Sequence, residues 1–302
     1  MINLSQKKVL ACVVTYNRCA LLQRCLHHLN EQSSKPEILI INNSSTDSTL
    51  DFLTKNNVPH LTQDNLGSAG GWWRAIKEGM ERGFDYVWLM DDDGFPDHHA
   101  LELLLGKMNE TVACVSSVVV QENNRDKFVF GFPKLNENEL PVLFASPRKY
   151  HSFKELNIGE EGTYPFAFLF NGALINLKAA SEIGNINKEY FLYGDEVDYF
   201  FRMKAWGSVF TYFKAIHYHP DVDNRVIEKN KVYYFIRNTI ILNSKYYDQK
   251  TTRDIFTIGV ALYRIGQRNG ILSAFSYFFG GNAKYFYNGI IDGINKKLGK
   301  RY

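Results

Sequence analysis

Three adjacent carboxylates, Asp91, Asp92 and Asp93, end the apolar run Tyr86-Val87-Trp88-Leu89-Met90 and precede Gly94. Like charges this close repel, so the cluster destabilises a fold unless a cation or another compensating group neutralises it. Oxygen donors of this kind suit Mg²⁺ or Mn²⁺ held against a diphosphate and match poorly the thiolate and imidazole sets of structural zinc. If strand geometry persists through the triplet, Asp91 and Asp93 point to one side and Asp92 to the other. That division makes Asp93 a direct metal ligand and Asp92 a supporting group. Asp91 then touches the metal through water or binds a nucleotide's sugar. Asp-Asp-Gly followed by Pro96 is also ordinary turn chemistry, and a surface turn stays open for the triplet taken alone.

A second acidic group, Asp195, Glu196 and Asp198, follows Gly194 and precedes a helical-looking stretch through Arg202 to Trp206. Carboxylates so placed either take a proton from a substrate hydroxyl or stabilise the first turn of a helix. His217 and His219 follow the apolar segment Val209 to Ile216. Two apart on a strand, they face the same side, and one of them could complete a metal shell beside Asp93. A satisfied structural histidine is the alternative for either.

The elements that must position these groups alternate. Lys8 to Thr15 reads as a strand. Ala20 to Leu29 reads as a helix with Leu21, Leu22, Cys25, Leu26 and Leu29 at helical spacing. Glu37 to Ile41 is a second strand, followed by a polar turn at Asn42-Asn43-Ser44-Ser45 and a helix from Asp47 to Lys55 with Thr46 as its cap. A short strand, Val58 to Leu61, leads into Asn65-Leu66-Gly67-Ser68-Ala69-Gly70-Gly71, then a helix from Trp72 to Arg82 and the strand ending at Met90. Such alternation implies an α/β fold with a mostly parallel sheet flanked by helices, whose ligands gather beyond the carboxyl ends of the strands. Thr15-Tyr16-Asn17-Arg18, Asn42-Asn43, the glycine segment and the aspartates converge there.

The glycine segment has neither dinucleotide-binding nor phosphate-loop spacing. Gly70 and Gly71 would still permit close backbone approach to a ligand, with the next helix offering free amides and Arg74 reaching an anion; a plain tight turn is the alternative. Of Trp72 and Trp73, one belongs to the core and one to a pocket wall.

Bulk properties fit a globular protein: 302 residues, 45% hydrophobic and 22% charged, net charge +3. Four cysteines, Cys12, Cys19, Cys25 and Cys114, lack metal-ligand spacing and read as reduced and mostly buried. From residue 241 to 302 there are ten Lys or Arg against three Asp or Glu, an excess of seven that leaves residues 1–240 at −4. No run is long enough to span a membrane, and no secretory signal precedes the cysteines. The expectation is a cytoplasmic protein, with peripheral attachment to the cytoplasmic face of the inner membrane open.

In combination, Val13-Val14-Thr15-Tyr16-Asn17-Arg18, Ile41-Asn42-Asn43-Ser44-Ser45-Thr46-Asp47, Asn65 to Gly71 and Trp88 to Asp93 resemble a family 2 inverting glycosyltransferase of the GT-A fold. Within that family the chain most resembles bacterial galactofuranosyltransferases and rhamnosyltransferases, over residues 8–240. The resemblance implies Mn²⁺ or Mg²⁺, and a nucleotide-sugar donor that is UDP-galactofuranose or, as the alternative, dTDP-rhamnose. The acceptor would be a hydroxyl of a growing cell-surface glycan or a lipid-linked glycan. It assigns donor binding to Thr15, Tyr16, Asn17, Arg18, Asn42, Asn43, Asn65, Gly70, Gly71, Arg74, Asp91 and Asp92, and metal binding to Asp91, Asp93 and His219. Glu196 matches the family's general base, with Asp195 beside it. Asp198, Trp72, His217 and Arg237 fall to the acceptor or to supporting positions. Family members commonly carry aspartate where this chain has Asn42, at a position that contacts the base. An amide both donates and accepts while a carboxylate only accepts, so nucleotide identity is open.

The expected domains are 1–240, catalytic, and 241–302, a basic, aromatic-rich helical extension. In that extension Phe275, Phe278, Phe279, Phe286 and Tyr287 are interleaved with Arg264, Arg268, Lys284, Lys296 and Lys297. The pattern suits an anionic bilayer, packing on the catalytic part, or a homodimer. No dense Arg/Lys stripe crosses the expected catalytic half, so nucleic-acid binding is not expected. A sugar-phosphate nucleotidyltransferase is the main alternative activity, but Val13 to Arg18 contains no glycine of the phosphate loop that such an enzyme needs. A noncatalytic carbohydrate-binding protein would have no need of both acidic clusters.

Overall fold

A computed structural model describes residues 7–156, 158–221 and 226–302. The chain divides into two compact units. One comprises Met1–Asn65, Gly71–Ile186 and Arg202–Asp221, and the other Leu66–Gly70, Asn187–Phe201 and Val222–Tyr302.

The first unit is built on a large sheet. Its elements begin with β1 (Val9–Thr15), α1 (Cys19–Asn30), β2 (Glu37–Asn42), α2 (Thr49–Lys55), β3 (His60–Thr62), α3 (Gly67–Glu81) and β4 (Tyr86–Asp91). They continue with β5 (Phe95–Pro96), α4 (Ala100–Leu105), β6 (Val112–Gln121), β7 (Asn124–Pro133), β8 (Lys149–Ser152), β9 (Thr163–Tyr164), β10 (Asn171–Asn176) and α5 (Leu177–Ile183). Helix α6 (Asp195–Trp206) and β11 (Ser208–His219) follow. The sheet order is β3-β2-β1-β4-β10-β6-β11-β5. β1 pairs in parallel with β2 and β4, as the alternation predicts. Beyond β4 the sheet is mixed, because β10 runs antiparallel to both β4 and β6.

β1 is buried along its whole length, as a central parallel strand covered on both faces must be. Leu22, Cys25, Leu26 and Leu29 form the buried stripe of α1 and pack in one cluster with Val13, Trp88 and Met90. All four cysteines are free and buried.

Three local expectations are corrected. The helix expected from Asp47 starts at Thr49, and Thr46 does not cap it: the Thr46 amide donates to Asn17 Oδ1 at 2.6 Å. The third strand lies at His60–Thr62, one or two residues later than expected. The helix expected from Trp72 begins at Gly67, so the glycines form its first turn and not a loop ahead of it. The reason for Gly71 is packing: a Cβ there would lie 2.5 Å from Val14 Cγ1 on β1.

The second unit contains α7 (Lys229–Tyr246), α8 (Lys250–Asn269), α9 (Ile271–Phe279) and α10 (Ala283–Ile294), together with the turn 187–194 and the start of α6. Its core joins Tyr233, Tyr234, Ile236 and Ile240 of α7 to Ile265, Tyr277, Tyr285 and Phe286. Residue 240 lies within α7.

Candidate active site

The carboxyl ends of β1, β2 and β4 are brought level by register: Thr15 lies opposite Asn42, and Val14 opposite Asp91. The strand ends at Asp91, and the expected alternation fails beyond it. Asp92 and Asp93 are both buried and both meet one guanidinium, with Arg18 Nη1 at 3.0 Å from Asp92 and 2.9 Å from Asp93. Thr15 Oγ1 donates to Asp92 at 2.7 Å. Burial pushes the Asp92 carboxyl above its usual range, against the pull of Arg18 and Thr15. Burial opposes the charge on Arg18, but Asp93 and Asp92 outweigh it and hold the guanidinium still more firmly protonated.

His219 Nε2 lies 3.1 Å from Asp93 Oδ1. Its other nitrogen, Nδ1, is 2.7 Å from the Pro220 carbonyl, which can only accept, so Nδ1 carries the proton. In the neutral ring the Nε2 lone pair then points at a carboxylate oxygen. Two acceptors at this distance need a cation between or beside them, either a proton or a metal. A buried carboxylate and an imidazole oriented by a backbone carbonyl fit a divalent ion. Asp93 and His219 would hold it. Among the described residues no set of three or more His, Cys, Asp or Glu side chains assembles for a metal, so Asp91 is not brought into a three-residue cage.

Several other donor-side candidates are engaged in building the site. Asn17, at φ 55°, accepts from the Thr46 and Asp47 amides and ties the turn after β1 to the turn after β2. Asn42 donates to Thr62 Oγ1 and accepts from the Ser45 amide, so both ends of its amide help to close this turn, with a second N–H and a second lone pair left over. Asn43 accepts from Gln63. Tyr16 is 47% exposed and is open to a planar ligand. Arg74 Nε pairs with Glu78 at 2.6 Å. Asn65 lies in the connection from β3 to α3.

Trp72 is buried and stacks on Phe170 with ring centroids 4.6 Å apart, which removes it from the acceptor residues. His217 is also fully buried, between Gly94 and Gly172, where a Cβ on either glycine would crowd its ring. Burial drives its pKa down to about 3, so it is a neutral wall of the core and no acceptor ligand. Arg24 also belongs to the site: its Nη2 donates to the Asp93 carbonyl at 2.8 Å while the same guanidinium holds Glu122. No local motif marks it, because its partners are distant in sequence.

In the second unit Asp195 opens α6, 3% exposed, with Oδ2 lacking a hydrogen-bond partner. Burial, and then the charge of Glu196, push its pKa up to about 7. Glu196 beside it is half-buried and the more accessible of the two. Asp198 is buried, taking Lys245 Nζ and Tyr246 Oη at 2.7 Å each, so it ties α6 to α7 and offers no acceptor contact. Arg237 is fully buried and donates to the carbonyls of Gly299 and Tyr190 and to Asn238 Oδ1. With every nitrogen engaged, it touches neither pyrophosphate nor acceptor.

Comparison with known proteins supplies the chemical context. The family described as Glycosyl transferase family 2 matches residues 11–171. Galactofuranosyltransferase GlfT1 of Mycolicibacterium smegmatis is 29% identical over 219 residues, 70% of each chain. Its Mycobacterium tuberculosis counterpart is 30% identical over 229 residues, 71% of this chain and 70% of that protein. Among solved structures, S. aureus TarS aligns with TM-score 0.57 at 16% identity, over 95% of this chain and 49% of its own. GalNAc-T7 with UDP, GalNAc and Mn²⁺ aligns with TM-score 0.59 at 10% identity, over 95% and 57%. The mannosyltransferase PcManGT from Pyrobaculum calidifontis, with GDP-Man and Mn²⁺, aligns with TM-score 0.53 at 13% identity, over 97% and 88%. The chain thus spans about half the length of the first of these structures. At such identities the likeness is one of fold.

Proposed function

The chain belongs to glycosyl transferase family 2 and is a glycosyltransferase of the GT-A fold, and from that premise we propose that it transfers galactofuranose from UDP-galactofuranose to a hydroxyl of a cell-surface glycan, with inversion. The donor assignment is supported by the two relatives named galactofuranosyltransferases. The observation that carries the metal-assisted reading is the placement of His219 Nε2 3.1 Å from Asp93 Oδ1, just beyond the carboxyl end of β4.

In this reading Asp93 and His219 hold Mn²⁺ or Mg²⁺, which when bound supplies positive charge to the departing diphosphate. Arg18 balances Asp92 and Asp93, and Thr15 orients Asp92, so that Asp93 keeps its direction. Tyr16 packs on the donor. Glu196 takes the proton from the acceptor hydroxyl, whose oxygen attacks the anomeric carbon as the bond to the diphosphate breaks. Burial keeps Asp195 protonated to about pH 7, leaving Glu196 as the base of the adjacent pair. Residues 1–240 carry the donor chemistry and the base. The basic helices beyond residue 240 rest on an anionic membrane surface on the cytoplasmic side, where a lipid-linked glycan would be met.

Calorimetry with UDP and Mn²⁺ tests the metal assignment, and a donor screen read by product mass tests the sugar. Asp93→Ala is expected to abolish the metal-dependent part of UDP binding while the fold persists. Unchanged metal-dependent affinity sinks the assignment of Asp93. Transfer of rhamnose from dTDP-rhamnose in preference to galactofuranose replaces the donor and keeps the reaction type.

A further inference from the structure

The segment that launches α6 is strained. Phe191 has φ 68° and ψ −61°, and the Leu192 amide donates to the Tyr190 carbonyl at 2.8 Å, which makes a γ-turn of the rare positive-φ kind. Tyr193 at φ 61° and Gly194 at φ 84° follow Leu192, so three of the four residues before Asp195 have positive φ. Side chains other than glycine hold such conformations only when their surroundings over-determine them.

Those surroundings are two adjacent residues of α7. The Asn238 Nδ2 lies 3.2, 2.8 and 2.7 Å from the carbonyls of Tyr190, Leu192 and Tyr193. Arg237 Nε donates to Asn238 Oδ1 at 2.8 Å, which orients that amide with its nitrogen toward the turn. Arg237 Nη2 adds a bond to the Tyr190 carbonyl at 2.8 Å, and Nη1 reaches the Gly299 carbonyl at 2.6 Å. Gly194 packs so tightly here that a Cβ would sit 2.9 Å from Asn238 Cβ. The opposite side of the turn is held by the start of α3: the Ala69 amide donates to the Phe191 carbonyl at 3.3 Å, and a Cβ on Gly67 would overlap that carbonyl. Both residues of the α7 pair are buried and neither is open to a ligand.

We propose that Arg237 and Asn238 are positioning residues for Glu196: they lock the turn 190–194 in the strained conformation from which α6 starts, and so set the direction of the Glu196 carboxylate. This rests on the reading of Glu196 as the general base. A base gains its rate factor from being held within hydrogen-bonding reach of the hydroxyl, and a small displacement removes much of it.

The test is a double-mutant cycle on the full chain, with turnover measured at saturating donor and acceptor and residual rates followed over long incubations. Asn238→Ala is expected to leave UDP affinity and the donor KM unchanged and to lower kcat by about 10-fold or more. In a Glu196→Gln background the same substitution should change the residual rate by less than about 2-fold, because the residue acts through the base already removed. Equal losses in both backgrounds, or full kcat in Asn238→Ala, overturn the proposal. If Asn238→Ala does not fold, Gly194→Ala and Arg237→Lys strain or loosen the same turn and are read by the same cycle. Near-normal turnover in Glu196→Gln alone removes the assignment of the base itself, an outcome distinct from additivity in the cycle.

Discussion

At the scale of single residues, adjacent groups of one chemical type take opposite roles because their surroundings differ. Asp92 is held by Thr15 and Arg18, while Asp93 turns one oxygen to His219. Asp195 is buried with an unpartnered oxygen, while Glu196 remains half-exposed. The raised pKa of Asp195 has a consequence for stability. Pushed up to about 7, it lies above the ordinary carboxylate range, so its contribution is fully present below about pH 4 and is lost as pH rises toward 7. Asp195→Asn should therefore flatten the fall in stability between pH 4 and 7, leaving the variant relatively more stable at neutral pH by a few kcal/mol, roughly. Urea unfolding of both proteins across that range checks it, and parallel pH profiles would show that Asp195 ionises without penalty.

At the scale of elements, α3 illustrates how a glycine run misleads. Gly67 to Gly71 reads as a ligand loop because glycine permits close approach, and the partner approached at Gly71 turns out to be the side chain of Val14. Overpacking a well-filled core typically destabilises by about 1–3 kcal/mol. Gly71→Ala is expected to fall in that range by chemical denaturation, tempered by alanine's better helix propensity. Stabilisation by the substitution would mean that the strand and helix separate freely at this point. The triplet shows the converse case: strand alternation predicts opposite sides for Asp92 and Asp93, but β4 ends at Asp91 and both meet the same guanidinium.

At the scale of the whole molecule, charge and apolar exposure are concentrated in the C-terminal helices. Leu272 is 82% exposed, Phe279 91% and Ile255 70%, in a segment with seven more basic than acidic residues. Among the described residues no helix is long and apolar enough to cross a membrane. Binding at an anionic surface combines apolar insertion with charge attraction that salt screens within about 10 Å at 0.1 M. The protein is expected to sediment with vesicles containing phosphatidylserine and not with purely zwitterionic ones. Leu272→Ser with Phe279→Ser should weaken this several-fold, and about 0.5 M salt should do likewise. Equal partition onto both vesicle types would remove the electrostatic part of the proposal.

The sequence by itself determined the alternating strands and helices through Met90, the burial of the cysteines, and the gathering of Thr15, Arg18, Asn42 and the aspartates at one end of a sheet. These follow from hydrophobic period and from strand direction, both local properties. Hydrogen-bond partners were decided only by tertiary structure. Asn42, Asp198 and Arg237 are residue types that bind ligands, and nothing in their neighbours along the chain tells whether Thr62, Lys245 or the Gly299 carbonyl will engage them first. His217 and His219 share a strand and a spacing, yet one is walled in by Gly94 and Gly172 and the other faces Asp93. The difference lies in what packs against each ring, and those partners come from segments far away in the chain.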